Sequence, residues 1–156
     1  MLESMNKWIS TKRPVSPKTV LFVCTHNSGR SQMAEAFFNQ YAPIDVRAIS
    51  AGSQPAERLN PTVVAAMREA GIDISSQRPK LLTVDMFDSA DIVITMGCGE
   101  SNACPAAFVQ TIDWGLEDPA DQPIEKVRQI RYEIDARVKL LIEQISNANE
   151  TDKSEK

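Results

Sequence analysis

The stretch Thr19-Val20-Leu21-Phe22-Val23-Cys24-Thr25-His26-Asn27-Ser28-Gly29-Arg30-Ser31-Gln32-Met33-Ala34 carries the reading of this chain. Its first five residues are an apolar, β-prone run without polar alternation, as expected of a strand buried on both faces. From Arg30 to Tyr41 the apolar residues return at helical spacing, with Met33, Ala34, Phe37 and Phe38 on one face. A loop passing from such a strand into such a helix can turn successive backbone N–H groups inward, and the helix N-terminus adds partial positive charge. Thr25, His26, Asn27, Ser28, Gly29, Arg30 and Ser31 are therefore expected to form a nest for a tetrahedral oxyanion. Arg30 supplies a fork of donors matched to two oxygens of such an anion. The same field favours a thiolate, so Cys24 is expected to be a nucleophile with a lowered pKa. Ser31 is placed to donate to that thiolate, Asn27 to brace the loop, and Gly29 to allow a backbone angle that a residue with Cβ resists. Taken singly, Cys24 reads as a buried strand-end residue and Arg30 as a surface charge. Together, with Asn27 and Ser31 between a buried strand and a helix, they read as a site.

Outward from this segment the pattern alternates. Asp45 to Ser50 reads as a second strand, broken by Ala51-Gly52. Asn60-Pro61 is an N-cap with proline at the first helical position, and the helix it opens runs to Ala70 and ends at Gly71. Asp91 to Met96 is a third buried strand and Phe108 to Ile112 a candidate fourth. Pro123 opens a long helix with Ile124, Val127, Ile130, Ile134, Val138, Leu141 and Ile145 at three- and four-residue spacing. This order implies an α/β fold with a parallel sheet and helices on both sides, in which ligands sit at the carboxyl ends of strands. The Cys24 loop leaves the first strand at such an end.

Composition bounds the rest. With 156 residues, the chain is one ordinary domain. Residues 1–17 read as a loosely held N-terminal extension, 18–146 as the domain, and 147–156 as a polar tail that frays. A net charge of −4 gives no overall field for nucleic acid or anionic membrane, so an anion must be held by local donors. No apolar run is long enough to span a membrane, and the N-terminus lacks the apolar stretch of a secretory signal, so a cytoplasmic protein is expected. Three cysteines fit poorly with a disulfide framework.

The segment Val20 to Glu35 closely resembles the start of the low-molecular-weight phosphatase-like arsenate reductases. The resemblance continues through Ser50-Ala51-Gly52-Ser53, Asn60-Pro61, Gly71-Ile72-Asp73-Ile74-Ser75 and Asp113-Trp114-Gly115-Leu116-Glu117-Asp118-Pro119. It implies a three-layer α/β fold with a four-stranded parallel sheet flanked by helices. Tyrosine phosphatases of the same fold share the Cys-x5-Arg-Ser loop and are the alternative. Gln32 follows Ser31 where those phosphatases usually have proline, and Ala120 follows Asp118-Pro119 where they have the tyrosine of an aromatic wall. Cys98 and Cys104, in the loop after the third strand, are thiols that a reductase uses and a phosphatase does not need.

The resemblance implies a chemistry. The Cys24 thiolate attacks arsenic in arsenate, with Arg30 and the loop amides stabilising the anion and Asp118 protonating the leaving oxygen. A thiol then attacks the Cys24 sulfur and releases arsenite. No bound cofactor is expected, only an external thiol reductant: thioredoxin, or mycothiol or glutathione with a glutaredoxin. Phosphate or sulfate are expected competitors and a monomer the expected state. Two wirings stay open. Either Cys98 and Cys104 form an intramolecular relay reduced by thioredoxin, or a small thiol attacks arsenic and the later cysteines assist. The chain departs from the family in three places. Thioredoxin-coupled members usually carry a second cysteine where Gly29 stands, Gly97 takes the place of their first later cysteine, and Arg78-Pro79-Lys80 replaces residues with which some members bind potassium near Asn27 and Glu35. Lys80 or Arg78 facing Glu35 would replace that ion. A metal site from His26, Cys98 and Cys104 is a weaker rival, because the spacing is unusual and a fourth ligand is missing. A module that binds oxyanions without turnover is another, and would need neither a general acid nor spare thiols.

Overall fold

The structure is a computed structural model that describes residues 18–97 and 111–154. The extension 1–17, Cys98, Cys104 and the Phe108–Gln110 part of the expected fourth strand lie outside the described residues. Four strands, β1 (Thr19–Cys24), β2 (Arg47–Gly52), β3 (Ile92–Thr95) and β4 (Thr111–Asp113), form one parallel sheet in the order β2-β1-β3-β4. Four helices accompany them: α1 (Arg30–Tyr41), α2 (Pro61–Glu69), α3 (Val84–Ser89) and α4 (Ile124–Ser154).

β1 occupies the middle of the sheet because every residue from Val20 to Cys24 can be buried. Its side chains divide by the period of two. Val20, Phe22 and Cys24 join a large cluster with α1, α2 and α4, through Met33, Phe38, Val63, Met67, Val127, Ile130, Ile134 and Val138. Leu21 and Val23 face the opposite layer, against Ala51, Val93 and Phe87 of α3. The three layers are thus helices, sheet and a smaller helical cover, as the resemblance implies. Asp91 Oδ2 accepts the amides of Lys18 and Thr19 at 2.8 and 2.9 Å and so ties the start of β1 to that of β3.

Several elements differ from the sequence reading. β2 does not break at Ala51-Gly52. Both residues pair with β1, opposite Val23 and Cys24. Gly52 is there for close approach, since a Cβ would lie 2.6 Å from the Thr25 carbonyl oxygen and 2.9 Å from the Asn27 nitrogen. α3 went unread, being one short, mostly exposed turn-like helix capped by Thr83. α4 continues past Asn147 to Ser154. The cap at α2 is as expected: Asn60 Oδ1 accepts from the amides of Thr62 and Val63.

Glu69 joins α2 to α4. Arg128 Nε and Nη2 donate to its two oxygens at 2.9 and 2.8 Å, and Arg131, buried in α4, reaches it at 3.3 Å. The Arg128 fork foremost pulls the Glu69 carboxyl down to about 2. A depressed acid contributes stability that is complete above its ordinary value of 4.5 and is lost as pH falls toward 2. Thermal unfolding of Glu69→Gln should therefore lose less Tm than the wild type between pH 5 and pH 2. Equal losses would show that the pair contributes nothing.

Candidate active site

The loop from Cys24 to Ser31 is built from the C-terminal end of β1 and the first turn of α1. Gly29, the N-cap of α1, supplies no side-chain cap, and no acidic residue stands in the first turn. Among the described residues, the amides of His26, Ser28, Gly29, Arg30 and Ser31 donate to no protein acceptor. A helix N-terminus with uncommitted donors is an anion cradle by construction.

At the base of the cradle, Cys24 is buried, with Ser31 Oγ 2.9 Å from its sulfur and the Asn27 amide donating at 3.2 Å. The sulfur therefore lies within hydrogen-bond reach of two polar groups at the turn from strand to helix. Asn27 is fully buried with φ of 50°, a conformation that asparagine tolerates better than most residues. Its Nδ2 donates to Ser31 Oγ at 2.7 Å and to Ser50 Oγ at 3.0 Å. Its Oδ1 accepts from Gln32 Nε2 at 3.0 Å and the Lys80 amide at 2.8 Å. Asn27 thus fixes the hydroxyl that contacts Cys24, as well as bracing the loop. Gln32, 1% exposed, also reaches the carbonyl of Arg78 at 3.1 Å. Gln32 and Ser50 are site residues that sequence reasoning missed, since a polar residue on an amphipathic helix or strand gives no sign of which way it faces.

Gly29 serves differently from expectation. The loop's left-handed residue is Asn27, whereas Gly29 lies against Pro119, and a Cβ there would fall 2.8 Å from Pro119 Cγ. The Cys24 loop and the Asp118-Pro119 turn are packed through a glycine. A cysteine at this position would require that turn to shift.

Arg30 is 5% exposed and held on one edge. Its Nη1 donates to the Met96 carbonyl at 2.7 Å and the Leu116 carbonyl at 3.0 Å, and its Nη2 lies 3.7 Å from Asp118 Oδ2. Asp118 is half-exposed and accepts the Ala120 amide. Its neighbour Glu117, the residue most easily confused with it, turns away to Lys126 Nζ at 2.9 Å. Thr25, His26 and Ser28 line the rim, with the loop 53–60 tied to it by Ala56 to His26 and Asn60 to Ser28 backbone bonds.

Of the two cations expected to face Glu35, Lys80 does so, with Nζ 3.7 Å from Oε1. Ser50 Oγ donates to the same Glu35 oxygen at 2.5 Å. Arg78 instead lines, with Arg58 and Arg68, a cavity of about 780 Å³ that does not include Cys24. Among the described residues, no group of three His, Cys, Asp or Glu could hold a metal, and no helix is long and apolar enough to cross a membrane.

Comparison with known proteins points to one family. The family model for low molecular weight phosphotyrosine protein phosphatase matches residues 19–151. Arsenate reductase 1 of Bacillus cereus is 42% identical over 125 residues, covering 78% of this chain and 92% of that protein. A solved arsenate reductase in the phosphate-binding state superposes with a TM-score of 0.74 at 40% identity, covering 82% of this chain and 98% of the other. The thioredoxin-dependent arsenate reductase of Corynebacterium glutamicum gives a TM-score of 0.71 at 39% identity, covering 89% of this chain and 67% of that one. The four-stranded parallel sheet, the uncapped helix N-terminus over a buried cysteine and these matches agree: the chain belongs to the low molecular weight phosphotyrosine protein phosphatase family, in its arsenate reductase group.

Proposed function

We propose that this protein reduces arsenate to arsenite through Cys24. The observation that carries the reading is the pairing of a buried cysteine sulfur, hydrogen-bonded to Ser31 and Asn27, with a bank of uncommitted amides and a buried arginine. The Cys24 thiolate attacks arsenic, an S–As bond forms, and an oxygen of arsenate leaves as water with the proton of Asp118. A second thiol attacks the Cys24 sulfur. The S–S bond forms as the S–As bond breaks, the electron pair stays on arsenic, and arsenite departs. Two thiols have then supplied two electrons, and a thioredoxin-type reductant restores them by disulfide exchange.

Phosphotyrosine hydrolysis is the alternative reading, and the described tyrosines do not favour it. Tyr41 closes α1, about 16 Å along the axis from Arg30, and donates to Asp135. Tyr132 lies on α4 beside Arg131. Ala120 follows the Asp-Pro turn.

In this reading Cys98 and Cys104 supply the second and third thiols, the protein works as a cytoplasmic monomer, and phosphate and sulfate compete for the cradle. The test is arsenite formation with thioredoxin, glutathione or mycothiol supplied in turn, each with its recycling enzymes. Turnover with thioredoxin alone, lost in Cys98→Ser or Cys104→Ser, is expected. Turnover only with a small thiol and a glutaredoxin would replace the relay by the second wiring. Hydrolysis of a phosphotyrosine peptide with no arsenite from any donor would replace the activity itself.

Lys80 takes the place of a bound monovalent cation beside Glu35 and Ser50. Exchange of sodium for potassium at constant ionic strength should change the wild-type rate less than about twofold, because a tethered ammonium already balances Glu35. Lys80→Ala should acquire a potassium response, and strong potassium activation of the wild type would refute the assignment.

A further inference from the structure

Asp113 lies outside the chemistry described above, yet it touches both backbone segments that hold Arg30. It is the last residue of β4 and pairs in register with Thr95. Its Oδ1 accepts the Thr95 hydroxyl at 2.8 Å, the Gly97 amide at 2.9 Å and the Gly115 amide at 3.4 Å. The Gly97 amide and the Met96 carbonyl belong to one peptide unit. On its other side that unit accepts Arg30 Nη1 at 2.7 Å. Gly115 precedes Leu116, whose carbonyl is the second acceptor of the same nitrogen.

We propose that Asp113 is a positioning residue for Arg30, acting through the Met96–Gly97 peptide and the Gly115–Leu116 turn. The inference rests on the reading that Arg30 binds the oxyanion. A carboxylate at the N–H of a peptide and a guanidinium at its C=O polarise it in the same sense, so each hydrogen bond strengthens the other. The packing allows little slack. Gly97 has φ of +88°, and a Cβ on it would lie 2.6 Å from the Leu116 carbonyl oxygen and 3.1 Å from Arg30 Nη1. With Nη1 fixed in this way, Nη2 is left on the side of Asp118, 3.7 Å from its Oδ2. Asp113 therefore sets the direction of the fork without touching the anion. Burial pushes its carboxyl up, but the hydrogen bonds from Thr95, Gly97 and Gly115 and the charge of Arg30 outweigh this and hold it below the ordinary aspartate value. It is charged at neutral pH.

The test is a cycle of Asp113→Ala and Asp113→Asn in the wild-type and Arg30→Ala backgrounds of the full chain. Affinity for inorganic phosphate and KM for arsenate are read in each. Asp113→Ala should weaken phosphate binding and raise KM by about tenfold, the scale of one charge-assisted hydrogen bond. Asp113→Asn keeps an acceptor oxygen and should lose only about threefold. In the Arg30→Ala background both substitutions should change phosphate affinity less than about twofold, because there is no fork left to aim. An undiminished effect in that background would reduce Asp113 to a structural tie between β3 and β4, and wild-type affinity in Asp113→Ala would remove the role altogether. If Asp113→Ala does not fold, the Asp113→Asn arm carries the same comparison. Failure of the wild type itself to bind phosphate would instead overturn the reading of the cradle.

Discussion

Cys24→Ser should lower arsenate reduction by at least about 10⁴-fold, the order seen when a covalent nucleophile is removed. A serine hydroxyl in this position meets the same two groups, Ser31 Oγ and the Asn27 amide. An alcohol is nonetheless a far weaker nucleophile than a thiol at neutral pH. Oxygen also cannot form the disulfide through which electrons reach arsenic. The cradle itself should survive, because its amides and Arg30 do not depend on the sulfur. Phosphate should therefore bind the variant within about tenfold of the wild-type affinity. Arsenite formation and phosphate titration on the same preparation check both halves. Substantial residual reduction with intact phosphate binding would sink the mechanism.

Arg30→Lys is the second large effect, a loss of about 10²–10³ in kcat/KM for arsenate despite unchanged charge. The guanidinium does two jobs at once. Its Nη1 is committed to the carbonyls of Met96 and Leu116, and its other edge is left for the anion and Asp118. An ammonium is a single point of three donors on a flexible stem and cannot hold two carbonyls while presenting a planar fork. It is also more strongly hydrated, which matters at a site only 5% exposed. Competition by phosphate should weaken in parallel with KM. A loss under about threefold would show that the cradle amides alone carry the anion.

The residues of the site differ in how legible they are in the sequence. Cys24 and Arg30 stand out in the chain because a short loop links a buried strand to an amphipathic helix, and local geometry then dictates the nest. Asp118 was legible only through resemblance, because an Asp-Pro turn by itself is commonplace. The contrast between Asp118, 3.7 Å from Arg30, and Glu117, paired with Lys126, needed the packing of the turn against Gly29. Ala51-Gly52 was misread as a strand break for the same reason. A small residue looks like a terminator in one dimension, whereas in three it is the space into which the Cys24 loop folds.

By itself the sequence determined the α/β class, the doubly buried strand β1, the helices α1, α2 and α4 and the place of the Cys24 loop. Those follow from hydrophobic period, caps and turn residues, which act over a few neighbouring positions. Only the tertiary structure decided which polar side chains serve the site: Gln32 and Ser50 around Asn27, Lys80 in preference to Arg78 against Glu35, and Asp113 behind Arg30. Those choices join residues from separate strands and loops. A hydrogen bond between such residues depends on the sheet order and on how turns pack, and neither leaves a local pattern in the chain.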